Sequence, residues 1–314
     1  MYIVTGGAGF IGSNLVRGLN RRGITDIVIV DDLENGEKHR GLNSLKFQDF
    51  VDYRDFLGRL GGPSPWGKVD AILHQGACSD TMEKNGRYML AVNTEYSKSL
   101  LAFAAGRCPF VYASSASVYG DGDHGFVEDP RAEYPLNVYA FSKSLFDRHV
   151  RTVLPQTKSQ VVGLRYFNVY GPQENHKGRM ASVIYKFHHQ VRTTKKLEIF
   201  AGSERFRRDF VWVGDAVDVN LWFLDHPETS GIFNCGSGRA ESFRALAEEV
   251  KKHYSGARIA EVPFPAELEG KYQRFTRADL GALRRAGCDV EFSSLEDGVA
   301  TYVRVLKEQD GYWR

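Results

Sequence analysis

The stretch Tyr2-Ile3-Val4-Thr5-Gly6-Gly7-Ala8-Gly9-Phe10-Ile11-Gly12 decides the fold. A short apolar run breaks into a glycine cluster that fits both GxxGxxG and GxGxxG. Glycines so spaced permit a tight turn, let the backbone approach a pyrophosphate, and let helix pack closely on strand. The N-terminus of the following helix then faces the phosphates. A second apolar run, Ile27–Val30, leads into Asp31, about twenty residues past the turn, where a carboxylate can accept from a ribose 2′-hydroxyl. A predicted helix over Leu15–Arg22 completes a β-α-β unit. Its strands are apolar throughout, as strands buried on both faces require.

Outward from this unit the alternation continues. Val69–His74, Phe110–Ala113 and Gln160–Tyr166 read as strands, with helices predicted over Tyr88–Ala105 and Asn137–Leu154. Strands separated by helices argue for a Rossmann-like, doubly wound parallel sheet with right-handed crossovers. Beyond Gly171 the rhythm loosens, leaving one predicted helix over Ala181–Arg192. Phe210–Val213 and the helix after Asp215 are expected to return to the sheet. The tail carries an amphipathic helix, a break at Pro263 and Pro265, and a last helix near Leu295–Leu306. The expected organisation is a dinucleotide-binding domain over 1–170, with 210–236 returning to it. A smaller, interleaved α/β substrate lobe is expected from 171–209 and 237–314.

Composition narrows the function classes. The 314 residues, 42% of them hydrophobic, suffice for one large domain or two unequal ones. A net charge of +2 offers no global basic excess for a nucleic-acid backbone. No apolar run approaches the roughly 18 residues of a membrane span, and the start does not read as a signal peptide. Cys78, Cys108, Cys235 and Cys288 form no CxxC pair, so neither a metal site nor a disulfide scaffold is expected. These features predict a cytoplasmic globular protein.

Tyr139 and Lys143, four apart on a predicted helix, share one face. An ammonium and a cationic nicotinamide both lower a tyrosine pKa, which makes Tyr139 a candidate base near neutrality. Ser114 and Ser115 end a strand at the carboxyl edge of the sheet, where ligands sit, and the Ser115 hydroxyl can hydrogen-bond the reacting oxygen. Gln75-Gly76-Ala77 follows a strand where the chain would cross a cofactor. Asp49 is a candidate partner for the adenine amine, and Asn93 a polar side chain on the helix beyond. The ribose end stays open: Asp31 favours NAD, whereas Lys38 and Arg40 favour NADP.

Further blocks are Tyr112-Ala113-Ser114-Ser115-Ala116-Ser117-Val118-Tyr119-Gly120, Arg165-Tyr166-Phe167-Asn168-Val169-Tyr170-Gly171-Pro172 and Arg208-Asp209-Phe210-Val211. With the glycine turn and Tyr139-xxx-Lys143, they resemble the extended short-chain dehydrogenase/reductase superfamily, which acts on nucleotide-diphosphate sugars. More narrowly, Gln75-Gly76-Ala77-Cys78-Ser79, Pro135-Leu136-Asn137-Val138-Tyr139, His176-Lys177-Gly178-x-Met180-Ala181-Ser182, Phe200-x-Gly202-Ser203 and Tyr272-Gln273-x-Phe275-Thr276 resemble the ADP-heptose 6-epimerases within it.

The resemblance implies epimerisation at C6″ through a transient 6-keto sugar, with tightly bound NADP, or alternatively NAD, accepting and returning one hydride. It makes Ser115, Tyr139 and Lys177 the reacting set and Lys143 a cofactor-ribose and pKa-tuning residue. Cofactor contacts are implied at Gly6, Gly9, Phe10, Ile11, Gly12, Asp31, Asp32 and Lys38. Gln75, Gly76, Ala77, Cys78, Ser79, Asn93, Val169 and Lys177 extend that set. Substrate contacts are implied at Asn168, Arg179, Lys186, Phe200, Ala201, Gly202, Ser203, Arg208 and Tyr272. Arg179 and Lys186 stand where the family commonly has serine and histidine, and Tyr53 where a second lysine near the ribose phosphate is expected. A homo-oligomer, a pentamer, is also implied. The rivals are a UDP-sugar 4-epimerase, an NDP-sugar dehydratase and a non-enzymatic NAD(P) sensor. Ala116 and Ser117 after Ser115 argue against the dehydratase, which needs an acidic pair there.

Overall fold

The computed structural model describes residues 1–60, 66–265 and 273–314. In chain order the strands are β1 (Tyr2–Thr5), β2 (Ile27–Asp31), β3 (Asp49–Asp52), β4 (Ala71–His74), β5 (Phe110–Ser115), β6 (Val161–Tyr166) and β7 (Asn168–Tyr170). They continue with β8 (Lys196–Phe200), β9 (Arg207–Arg208), β10 (Phe210–Trp212), β11 (Gly231–Cys235), β12 (Glu241–Ser242) and β13 (Arg258–Val262). The helices are α1 (Phe10–Arg21), α2 (Tyr53–Leu60), α3 (Gly86–Leu90), α4 (Tyr96–Ala104), α5 (Val138–Val153), α6 (Val183–Thr194), α7 (Val213–Asp225), α8 (Phe243–Lys251), α9 (Gly281–Arg285) and α10 (Leu295–Gln309).

Seven strands form one parallel sheet in the order β11-β6-β5-β4-β1-β2-β3. Alternate residues of each strand feed opposite cores. Val4, Ile27 and Ile29 pack with Leu15 of α1 and Leu221 of α7. Ile3, Val28 and Val30 pack with Leu100 of α4 and Phe146 of α5 on the other face. This is the doubly wound, Rossmann-like sheet the apolar runs predict. Its carboxyl edge gathers the loops after β1, β4 and β5, so chemistry is expected there.

Two details differ from the sequence reading. Helix α1 begins at Phe10, because Gly9 in extended conformation acts as its N-cap, so Phe10, Ile11 and Gly12 form its first turn. Phe210–Trp212 is a strand, but it pairs with β7 in a separate two-stranded sheet. Gly231–Cys235 adds to the main sheet beside β6 instead. A third core gathers Ile184 and Phe187 of α6, Leu197 of β8, Leu246 of α8 and Tyr302 of α10. The parallel pair β8–β13 lies within it.

Candidate active site

Gly6 takes φ +65°, and its carbonyl accepts the Gly9 N–H at 3.0 Å. A Cβ on Gly12 would lie 2.0 Å from that carbonyl, and one on Gly6 2.6 Å from the Gly76 nitrogen. Only glycine leaves this backbone cradle open at the N-terminus of α1, which fits a pyrophosphate. The Ala8 N–H donates to Asp31 Oδ2 at 2.9 Å. Asp31 Oδ1 accepts from the Asp32 N–H at 2.8 Å and from Lys38 Nζ at 3.0 Å, and Lys38 also donates to Asp32 Oδ1 at 3.0 Å. Burial pulls the Lys38 ammonium down, but the two carboxylates outweigh it and leave its pKa raised.

Two expected contacts stand apart from the cleft at this end. Arg40 pairs with Asp310 and Glu37 and lies 4.4 Å over the Tyr312 ring, so the C-terminal segment draws it away from the cleft. Asp49 Oδ2 accepts the Trp66 indole N–H at 3.3 Å and does not line the cleft.

A cleft of about 640 Å³ runs along the carboxyl edge of the sheet. It is lined by Gly6, Gly9, Phe10, Ile11, Gly12, Asp31, Asp32, Lys38, Gln75, Gly76, Ala77, Cys78, Ser79, Lys143, Val169 and Lys177. Asn93 is the exception among the implied cofactor contacts. It is fully buried in a π-helical turn, Ala91–Glu95, between α3 and α4. Its Oδ1 accepts the Cys78 N–H at 2.8 Å, and its Nδ2 donates to the Cys78 carbonyl and to Ser142 Oγ, each at 3.0 Å. Asn93 braces the 75–79 loop from behind, and π turns are frequent at such places.

Ser115 ends β5, Tyr139 lies in the first turn of α5, and Lys143 stands one turn further on the same face. The Ser115 side chain faces that of Tyr139, and Ser115 Oγ accepts from the Ser117 hydroxyl at 2.8 Å. Burial raises the Tyr139 pKa, with the Ser115 hydroxyl pulling the other way. The lowered phenol expected from the sequence is therefore not a property of the protein alone. Lys143 Nζ donates to the Ala113 carbonyl at 2.9 Å, and burial lowers its pKa to about 8 against the pull of Asp147.

Lys177 enters the same cleft from a short helical turn, Asn175–Met180. Its Nζ lies 4.8 Å over the Phe10 ring and 3.8 Å from Glu174 Oε2. Burial lowers its pKa, Glu174 opposes, and Lys186 adds to the lowering.

The implied substrate contacts stand mostly elsewhere. Arg179 lines the cleft and pairs with Asp80 at 2.5 Å. Lys186 is exposed on α6. Phe200 packs edge-on against Phe264, the Ala201 N–H donates to the Val262 carbonyl at 2.8 Å, and Gly202 takes φ +77°. Ser203 is buried, its hydroxyl without a partner among the described residues. Arg208 is buried and donates to the carbonyls of Arg207 and Gln273. Asn168 is exposed at the start of β7. Among these, only Arg179 lines the cleft, and Tyr272 lies outside the described residues.

Sequence reasoning passed over other lining groups. His176 sits between Lys38 and Lys177, and burial with those two cations lowers its pKa to about 4, so its ring is neutral. Its signal was its place next to Lys177. Tyr96 meets Tyr53 edge-on at 5.8 Å, and its buried hydroxyl has no partner among the described residues. A tyrosine on an amphipathic helix looks like core, so nothing in the pattern marked it.

A glycine cradle on a doubly wound sheet, with serine, tyrosine and lysine at the carboxyl edge of β5 and on α5, defines an extended short-chain dehydrogenase/reductase. More specifically, the chain belongs to the NAD dependent epimerase/dehydratase family, whose pattern matches residues 2–236. It is 54% identical over 316 aligned residues to the ADP-L-glycero-D-manno-heptose-6-epimerase of Brachyspira hyodysenteriae (strain ATCC 49526 / WA1), covering 99% of each chain. The crystal structure of Helicobacter pylori ADP-L-glycero-D-manno-heptose-6-epimerase is similar over 98% of this chain and 96% of that one, with TM-score 0.83 and 27% identity. The UDP-glucose 4-epimerase of Thermus thermophilus, solved with NAD, is similar over 98% and 99%, with TM-score 0.80 and 25% identity.

Proposed function

We propose that the protein interconverts ADP-D-glycero-β-D-manno-heptose and ADP-L-glycero-β-D-manno-heptose through a transient 6-keto sugar. The observation that carries this reading is the meeting of Tyr139 and Lys177 in one cleft, from separate elements. The 54% identity to the Brachyspira epimerase supports the choice of sugar. The dinucleotide, when bound, supplies on one fixed face a place for the C6″ hydride to go and return from. The sugar oxygen must then occupy different positions in the two half-reactions, and one fixed base cannot easily serve both. Tyr139 moves the proton at one position and Lys177 at the other, while Ser115 hydrogen-bonds the oxygen. Lys143 holds the nicotinamide ribose.

Gly6, Gly9 and Gly12 cradle the pyrophosphate, and Asp31 holds the adenosine ribose. NADP is our proposed form, with Lys38 as the cation that offsets Asp31 and Asp32, now without help from Arg40. Asn168, Arg179, Lys186, Phe200, Ala201, Gly202, Ser203, Arg208 and Tyr272 hold the sugar and diphosphate. A guanidinium such as that of Arg208 suits a pair of diphosphate oxygens. In this reading 1–170 and 210–236 bind the dinucleotide, and 171–209 with 237–314 bind the sugar. A cytoplasmic homo-oligomer completes the proposal, supported by four free cysteines and by the family resemblance.

The test is NMR of the purified protein with ADP-D-glycero-β-D-manno-heptose deuterated at C6″. Inversion at C6″ with the deuterium retained is the expected result. Loss of deuterium to solvent overturns the hydride route. No turnover of this sugar, with C4 inversion of a UDP-sugar instead, overturns the substrate.

A further inference from the structure

Glu174 has no role in the scheme above, yet its carboxylate is completely enclosed. Its Oε1 accepts the Tyr302 hydroxyl of α10 at 2.9 Å and the Ser182 hydroxyl at 2.5 Å. Its Oε2 accepts the Ser182 N–H, at the N-cap of α6, at 2.7 Å. Three donors converge on it, which is the pattern that holds a carboxylate in one place as an acceptor. Lys177 Nζ is its ion-pair partner among the described residues, 3.8 Å from Oε2.

A buried carboxylate is costly unless it is paired and hydrogen-bonded. Two helices are committed to holding this one beside a lysine that faces the cleft. The hydroxyls alone would serve for structure without a charge. The charge itself acts on Lys177. We infer that Glu174 is the positioning residue for Lys177, holding its ammonium against the Phe10 ring and governing the pH at which it gives up its proton. This rests on the reading of Lys177 as the second base.

The groups facing this pair are few. Lys186 and Tyr185 of α6, Tyr302 of α10, His176 in the same turn and Phe10 of α1 surround Glu174 and Lys177. His176 is neutral, and the two tyrosines have raised pKa values. Among the described residues Lys186 also feels this carboxylate: burial lowers its pKa and Glu174 opposes that. Oxidation of the sugar needs a base that has lost its proton. Glu174 favours the protonated lysine, so it moves the rise of that half-reaction to higher pH. Removing the charge moves the rise downward.

The experiment is single-turnover reduction of the bound dinucleotide by each C6″ epimer, followed across pH. The epimer of interest is the one whose reaction Lys177→Met abolishes. With that epimer, Glu174→Gln is expected to shift the rising limb down by roughly one pH unit, the lower end for an opposite charge at this range. The profile for the other epimer, served by Tyr139, should not move. Glu174→Asp keeps the charge but draws it back by a methylene. It should shift the same limb by less, and it carries the test if the glutamine variant does not fold. Unshifted profiles, or equal shifts with both epimers, would overturn the role of Glu174. Equal losses with both epimers in Lys177→Met would instead overturn the two-base reading, which keeps the two failures apart.

Discussion

Tyr139 and Lys143 stand one turn apart on α5, and burial drives their pKa values in opposite directions. The phenol is pushed up and the ammonium down to about 8. At neutral pH the buried ammonium therefore costs stability, while the uncharged phenol does not. For Lys143 the sign is explicit. The unfolded chain keeps the proton to about 10.4, while the folded protein gives it up near 8. Below pH 8 both states are protonated and the full penalty applies; as pH rises toward the unfolded value it fades. Lys143→Met is therefore expected to raise the unfolding free energy at pH 7 by on the order of 1–3 kcal/mol. Urea titrations at pH 7 and 10 should show the gap closing, while dinucleotide binding is lost. Tyr139→Phe and Lys177→Met should each cut epimerase turnover by about two to four orders of magnitude, but block opposite half-reactions. Single-turnover reduction by each epimer separates them. At the ribose end, Lys38→Ala should lower affinity for NADP more than for NAD. An unchanged ratio in a competition binding assay would reject Lys38 as the phosphate partner.

Among the elements, β6 is unusual in carrying a fully buried arginine in an interior strand. Arg165 bonds Asp147 of α5 at 2.9 Å and also Glu133, and Asp147 accepts the hydroxyls of Tyr112 and Ser114 at 2.9 Å each. β5, β6 and α5 are thereby tied together next to Ser115. Arg165→Met leaves the buried Asp147 without its cation and Glu133 with Arg151 alone, and a loss of about 3–5 kcal/mol is expected in urea denaturation. The core strands were legible because Ile27–Val30 or Phe110–Val111 are apolar on both faces. β3 was not, since Asp49 and Asp52 bracket an edge strand of only four residues. Phe210–Trp212 read correctly as a strand but was assigned to the wrong sheet, because period and hydrophobicity do not encode a partner. At the site the glycine turn, Ser115, Tyr139 and Lys143 carry local signatures. The partners of Asn93 and Arg40 were not legible, because a polar side chain in a suitable place does not reveal which way it faces. Glu174, an acidic residue in a loop, carries no pattern that marks a buried carboxylate.

Across the whole molecule, the last residues of the chain close back on the first helix. The Trp313 indole N–H donates to Asn14 Oδ1 at 2.8 Å, and the Arg17 guanidinium lies 3.9 Å over its ring. Asn14 Nδ2 in turn donates to the carbonyls of Phe10, at 2.9 Å, and Pro172, at 3.0 Å. The Gly311 carbonyl accepts the Gln173 N–H at 2.8 Å, and Gln173 Nε2 reaches the Gly41 carbonyl at 2.9 Å. Arg40 meets Asp310, and Ser44 Oγ donates to the Trp313 carbonyl at 3.0 Å. The first turn of α1, the 36–44 segment that bears Lys38 and the turn bearing Lys177 are thus fastened to one C-terminal segment. These parts carry the proposed dinucleotide contacts and the proposed second base, and none is near another in sequence. Trp313→Ala removes a half-buried ring and leaves Asn14 Oδ1 without its donor, so a stability loss of about 1–3 kcal/mol is expected. If the fastening also shapes the site, dinucleotide affinity should fall several-fold, read by titration of the apo protein. Saturating dinucleotide should then restore part of the lost stability, because a ligand that binds only the native state stabilises it by mass action. A variant that unfolds more easily yet binds the dinucleotide as tightly as the parent would show that the C-terminal segment braces the fold without bearing on the site.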